Sequence, residues 1–334
     1  VIVDPRFPSA VRTLREARGW SYRDLGRRAF LTGPFVWEVE NGKKQPGLKS
    51  VAALDNALDA AGALLAMVRP VVAAPGPEER DRIVHAVEHP TRLDGKAVDV
   101  LAEALAVHRR VDDTIDAHLL IPGEAAQWEM VTRLAREARG PAVDRLHVVA
   151  AEWTQYLGWL RAEARHDAPA IGTLTEAIEA ANQIGAGSLA AQAKNFLGYV
   201  ARQRGNPRGI AESFEAAYRT PGATRLQRIG DAAQSAHGYA LIGDRATAAR
   251  LLGEAQELTS QAEGDEPPPV AYWLSVTFNR LNLGLAYLAL GDRQEAIQQL
   301  RAGLEGIPLE QRDSEWAAEY RRALDDAERL PASR

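Results

Sequence analysis

The 334-residue sequence contains no cysteine. That excludes a disulfide framework, a Cys-ligated zinc site, an iron–sulfur cluster and a thiol nucleophile, and it makes a reducing cytoplasm the expected location. No apolar run approaches the roughly 18 residues of a membrane span, and none makes a secretory apolar segment, so no membrane partner is expected. β-branched alternation is absent beyond Val1-Ile2-Val3. There is no phosphate-cradling Walker loop, and Gly185-Ala186-Gly187 lies between helical stretches rather than after a strand, so it is not a nucleotide fingerprint. His85-Ala86-Val87-Glu88-His89 spells a zinc-peptidase string, yet Pro90 follows at once and no third ligand is in view. Serine, histidine and aspartate stand in no recognisable catalytic order. No metal, cofactor or catalytic residue is assigned, and an enzyme is not expected.

What is present reads as helix nearly throughout. Ala, Leu, Arg and Glu dominate, with apolar residues recurring at three and four. Apolar residues make up 46% and charged residues 25%, enough for a sizeable core, and at about 150 residues per domain the length points to two domains. The net charge of −5 is unevenly spread. Residues 1–69 hold 11 Lys and Arg against 7 Asp and Glu, or +4; the remainder holds 29 against 38, or −9. A basic head on an acidic body suggests that the head meets a polyanion. Helix breakers at Ala73-Ala74-Pro75-Gly76-Pro77, Gly140-Pro141 and Glu266-Pro267-Pro268-Pro269 divide the chain. The expected organisation is a head at 1–70, a linker at 71–77, a middle helical segment at 78–140 and a helical array with a C-terminal helix at 141–330.

Within the head, Val11, Leu14 and Ala17 mark a short amphipathic helix that Gly19 ends. Ser21 is an N-cap candidate for the next helix, and Thr32, followed by Pro34, for the one after, which Gly42 stops. A further helix spans Leu48 to Leu58. Short helices joined by a tight turn describe a helix-turn-helix. The ordered string Leu14-Arg15, Gly19, Ser21, Leu25 and Glu40-Asn41-Gly42-Lys43-Lys44-Gln45-Pro46 resembles the XRE (lambda-Cro-like) family over about residues 9–65. The resemblance implies an all-α protein whose head is a five-helix domain that binds double-stranded DNA, with Arg15 and Glu40 as a structural pair. It places base readers at Gly33, Pro34, Trp37 and Glu38, counts Thr32 among the DNA-binding residues, and puts phosphate contacts at Tyr22, Arg23, Asn41, Lys43 and Lys44. Gly33 and Pro34 offer no side-chain donor; Glu38 could accept from cytosine N4 and Trp37 touch a thymine methyl. Direct readout is therefore thin, and phosphate contacts and DNA shape carry the expected affinity.

The array contains an internal repeat. Turn glycines Gly205, Gly243 and Gly291 are each followed nine residues later by Phe214, Leu252 and Leu300, and twelve later by Ala217, Ala255 and Gly303. An earlier unit fits with Gly158, Ala170, Leu174 and Ala177, and the unit at 277–310 adds Gly284, Tyr287, Ala296 and Pro308. Small residues at close crossings with a large apolar residue between them resemble tetratricopeptide repeats, hence an α-solenoid. The inward face, taken at spacings of three and four, comprises Gln155, Trp159 and Glu163, then Asn195, Tyr199, Arg202 and Gln203, then His237, then Phe278, Leu281, Leu285 and Leu288. Gln155, Trp159, Asn195, Tyr199, Arg202, His237 and Phe278 are the candidate ligand contacts. Asn195 is cast to meet a peptide backbone, Tyr199 to stack, and Arg202 to hold a carboxylate in a fork.

The layout as a whole resembles XRE regulators with a C-terminal tetratricopeptide array, of the actinobacterial type and similar to peptide-sensing quorum regulators. It implies a homodimeric transcriptional regulator, cytoplasmic and nucleoid-associated when bound to DNA, whose array senses a peptide or small-molecule effector. The alternative is a scaffold or adaptor whose degenerate head serves protein interaction.

Overall fold

The computed structural model describes residues 2–3, 6–60, 63–64, 67–69, 76–112, 115–262, 264–267, 271–307 and 315–329. The chain divides into two compact units, Val1–Ala74 and Pro75–Arg334. Most of the linker stretch and Pro308 lie outside the described residues.

The first unit runs β1 (Ile2–Val3), α1 (Phe7–Ala17), α2 (Tyr22–Arg28), α3 (Gly33–Glu40), α4 (Leu48–Ala57) and β2 (Val68–Arg69). The single β-branched run of the sequence does become a strand: β1 pairs antiparallel with β2, Ile2 opposite Arg69 and Val3 opposite Val68. Four α-helices are found among the described residues of this unit, where five were expected; residues 61–62 and 65–66 lie outside them. Local chemistry sets the helix ends. Ser21 accepts from the Asp24 amide while the Asp24 carboxylate accepts from Ser21, a reciprocal cap that opens α2. Thr32 accepts from the Phe35 amide at the start of α3, where Pro34 leaves no amide unsatisfied. Phe7, Val11, Leu25, Val36, Val39, Leu54 and Leu58 are fully buried together, so one apolar face from each helix closes the core.

The second unit is all-helical among its described residues. It begins with α5 (Pro77–Glu88), α6 (Gly95–Val111) and α7 (Ala117–Glu137). Four antiparallel pairs follow: α8 (Val143–Glu163) with α9 (Asp167–Gln183), α10 (Gly187–Gln203) with α11 (Pro207–Tyr218), α12 (Arg225–Leu241) with α13 (Arg245–Ser260), and α14 (Val276–Leu290) with α15 (Arg293–Gly306). A last helix, α16 (Glu315–Arg329), packs on α15 and α14. No helix among the described residues is long and apolar enough to cross a membrane.

The repeated small and large residues have a common packing role. A Cβ added at Gly158 would stand 2.7 Å from Leu174, at Gly198 2.7 Å from the Phe214 ring, and at Gly284 2.6 Å from Leu300. In each of these pairs the first helix supplies a glycine into which the second drives its large residue, 16 positions on. Gly198→Val should therefore lower the stability of this unit by about 1–3 kcal/mol, against the small gain in helix propensity that replacing a glycine normally brings. A thermal melt checks the sign: a variant melting at or above the wild type would show that the crossing has room.

Candidate nucleic-acid interface and ligand cavity

In the head, Arg15 and Glu40 form a buried two-point pair, Nε to Oε1 at 2.6 Å and Nη2 to Oε2 at 2.8 Å. Arg15 also donates to the Trp20 carbonyl at 2.8 Å, and its guanidinium lies over the Tyr22 ring at 4.4 Å. The hydrogen bond to Glu40 raises the Arg15 pKa above its ordinary value, even against desolvation. This pair ties the end of α3 to α1. Tyr22 is correspondingly half-buried beneath it, with its ring committed to Arg15.

The turn between α2 and α3 rests on two residues that the sequence reading passed over. A Cβ at Gly26 would lie 2.8 Å from the Leu31 carbonyl oxygen, so only glycine lets the turn close on α2. Phe30 sits in the left-handed region at φ +53°, with its side chain 96% exposed. A non-glycine residue there costs about 1–2 kcal/mol, and an exposed ring returns little burial. Phe30→Gly should therefore stabilise the head by about 1 kcal/mol, after allowing for the extra chain entropy of glycine. Urea titration would show it; a lower midpoint would mean that the ring holds the turn.

The expected DNA-contacting residues fall into pairs. Gly33 packs on Arg23, whose side chain is exposed; a Cβ at Gly33 would come within 3.1 Å of Arg23 Cγ. Lys43 stands over the exposed Trp37 ring at 4.4 Å. Lys44 lies 3.6 Å from the Glu38 carboxylate and 5.0 Å from the Phe35 ring centre. Asn41 is committed at both ends of its amide, donating to the Trp37 carbonyl at 2.7 Å and accepting from Arg12 at 3.3 Å. Its side chain closes α3 rather than standing open to a phosphate. Thr32 is likewise a cap, and Pro34 lies in the first turn. The accessible chemistry of this face is thus Arg23, Lys43 and Trp37, with Lys44 and Glu38 partly neutralising each other.

In the second unit, the first helices of the pairs and α16 surround a cavity with about 980 Å³ of atom-free space, its open mouth included. Trp159, Glu163, Asn195, Tyr199, Arg202 and Phe278 all line it. Gln155 and His237 do not. Gln155 is buried against α6, where it accepts from Arg109. His237 has a buried Nδ1, and burial together with Arg202 pushes its pKa down to about 4, so it is neutral. Gln155 stands one turn before Trp159 on α8 and His237 three positions after Gln234 on α12, so the three-and-four spacing keeps both on the lining faces but sets no limit to the cavity along each helix. Gln203 is not in the lining either; Leu281 and Leu285 belong to the apolar core with Leu300.

The cavity walls are aromatic. Trp159 packs on Phe196 and Tyr199 at centroid distances of 4.6 and 5.2 Å, Phe196 stacks on Trp273 at 6.4 Å, and Phe278 meets Trp316 at 5.6 Å. Trp273 and Trp316 come from outside the regular repeat positions. The polar residues are already networked. Asn195 donates to Asp231 at 2.6 Å, and burial lifts that carboxyl to about 8 although the Asn195 bond opposes the rise. Arg202 was expected to wait for a ligand carboxylate; instead it donates to Gln234 at 2.7 Å and lies 3.0 Å from Glu319 of α16. Desolvation works against its charge, but Tyr320, Glu319 and Tyr199 outweigh it and raise the guanidinium pKa above its ordinary value.

His85 and His89 meet edge to face at 4.8 Å, and no group of three or more metal-capable side chains occurs among the described residues.

A family model described as a helix-turn-helix domain matches residues 9–67. No curated protein matches the chain. Among solved structures, the chain is similar to Bacillus thuringiensis PlcR, determined in complex with the peptide PapR7 and DNA. The identity is 12% and the TM-score 0.36, over 96% of this chain and 98% of that one. The N-terminal unit is a helix-turn-helix domain, and an all-helical solenoid follows it.

Proposed function

We propose that the chain is a DNA-binding transcriptional regulator of the XRE type. It acts as a homodimer, and its tetratricopeptide-like unit senses a peptide or small-molecule effector. The observation that carries this reading is the helix-turn-helix itself: α2 and α3 joined by a tight turn, with α3 locked to α1 through Arg15 and Glu40 and basic residues at Arg23, Lys43 and Lys44. The aromatic cavity in the separate second unit supports the sensing role, since concave apolar sites with a few convergent polar groups are where small ligands bind.

A second reading, an adaptor whose head binds protein, is favoured by one feature. The leading positions of α3 are Gly33 and Pro34, and Glu38 is held by Lys44. Fluorescence anisotropy with DNA flanking the gene separates the two. A regulator with thin base readout should bind with an affinity falling about 10³-fold or more between 50 and 200 mM salt if it makes roughly 6–10 phosphate contacts. Lys43→Ala should weaken all sequences alike and flatten that slope. Absence of binding, or an affinity indifferent to salt, would leave the adaptor reading in place.

A further inference from the structure

Arg202 is the one cation among the described residues lining the cavity, and its partners come from the protein itself. Its guanidinium lies 3.0 Å from the Glu319 carboxylate and donates to Gln234 at 2.7 Å, with Tyr199 and Tyr320 each 5.6 Å away at their ring centres. The arginine side chain is almost fully buried and that of Glu319 about one third exposed, so the charge is paired with a carboxylate inside the wall, while the buried Nε itself makes no hydrogen bond. The other formally charged lining residues are carboxylates, Asp112 and Glu163. An anionic ligand would thus meet no open cation and would have to expel Glu319 to obtain one, leaving that carboxylate to find water or another partner.

Beside those carboxylates the cavity offers the amides of Gln234 and Asn195, whose present hydrogen bonds leave one end of each open. Arginine can only donate, so the Gln234 atom facing Arg202 is its oxygen, and its NH2 remains as a donor. Asn195 uses its nitrogen on Asp231, which leaves its carbonyl as an acceptor. The same cavity is lined by two groups of rings, Trp159 with Phe196 and Trp273, and Phe278 with Trp316. Such walls favour planar rings in offset or edge contact.

We propose that the cavity takes a planar aromatic molecule that has no negative charge and carries a neighbouring donor and acceptor, and that Glu319 is the residue that excludes anionic ligands by holding Arg202. This rests on the sensing role assigned above to the second unit. It narrows the effector class to aromatic molecules without a negative charge and sets aside a free peptide carboxylate.

The test uses two probes of the same shape and different charge, 2-naphthylacetamide and 2-naphthylacetate, titrated into the full chain by calorimetry. The wild type should bind the acetamide at least tenfold more tightly than the acetate. Glu319→Gln, which keeps the side-chain size, should bring acetate affinity up by tenfold or more with little change for the acetamide. Glu319→Asp, which keeps the charge, should retain the wild-type preference and controls for loss of structure in α16. Equal or tighter acetate binding by the wild type, no binding of either probe, or an unchanged ratio in Glu319→Gln would each overturn the proposal. Tight acetate binding would do so while leaving a sensing cavity in place, and the salt-dependent DNA titration stands or falls independently of both probes.

Discussion

Arg15→Ala should cost the head about 3–5 kcal/mol, because the substitution removes one half of a buried ion pair and leaves the other uncompensated. Glu40 is 2% exposed, and its carboxylate accepts from Arg15 at both oxygens. The other basic group beside it is Arg12, whose Nε lies 3.8 Å from Oε2 on a half-exposed side chain, too distant to replace two short bonds. The Trp20 carbonyl also loses its Arg15 donor, and the Tyr22 ring loses the guanidinium above it. The effect should fall on stability and not on base preference, since neither residue belongs to the exposed face with Lys43 and Trp37. Unfolding followed by circular dichroism, together with anisotropy on DNA variants below the melting point, separates the two. A variant that melts with the wild type would mean that the pair is solvated. Replacing both residues, Arg15→Met with Glu40→Leu, should recover much of the loss, because a buried pair exchanged for apolar side chains of similar volume is often close to neutral.

The second large effect is a pH dependence with an unusual profile. Asp231 is held up at about 8 by burial, against an ordinary value near 3.8. Between those values the folded state keeps a proton that the unfolded chain has released, so stability falls as pH rises, by up to about 1.4 kcal/mol per unit. His237 acts in the opposite sense. Burial and Arg202 lower it from 6.5 to about 4, so in that window the unfolded chain binds the proton and stability rises with pH. The two slopes oppose each other from about pH 4 to 6.5 and leave a plateau. Above 6.5 only Asp231 still titrates, and the second unit should lose about 2 kcal/mol by pH 8. Denaturant titrations at half-unit pH intervals would trace this shape. Asp231→Asn should abolish the fall above 6.5 and uncover the rise below it; a variant whose profile matched the wild type would place the titration elsewhere.

The parts of the molecule legible in the sequence are those determined by neighbours a few residues apart. The caps at Ser21 and Thr32, the stops at Gly19 and Gly42, and the glycines facing Leu174 and Leu300 all follow from local spacing. The Arg15–Glu40 pair lay further apart and was reached through the family resemblance rather than from physics alone. Phe30 escaped notice because a left-handed backbone leaves no trace when the residue is an ordinary aromatic. The cavity was only half legible. Helix spacing placed Trp159, Asn195, Tyr199, Arg202 and Phe278 among the inward residues, but it could not tell where along each helix the cavity ends, one turn short of Gln155 and His237. Nor could it foresee that Glu319, 117 positions beyond Arg202, would return to meet it. Periodicity describes how a helix is sided; it says nothing about which distant helix comes to that side.

The aromatic walls also make the second unit its own optical instrument. Three of the seven tryptophans, Trp159, Trp273 and Trp316, line the cavity, while Trp20 and Trp37 belong to the head and Trp128 and Trp153 to the packing of α7 and α8. A ring-bearing guest seated against Trp159, Trp273 or Trp316 would alter their emission and leave the head tryptophans bright. Occupancy of the cavity can then be followed by intrinsic fluorescence in unlabelled protein, with Trp273→Phe and Trp316→Phe variants assigning the signal to each wall.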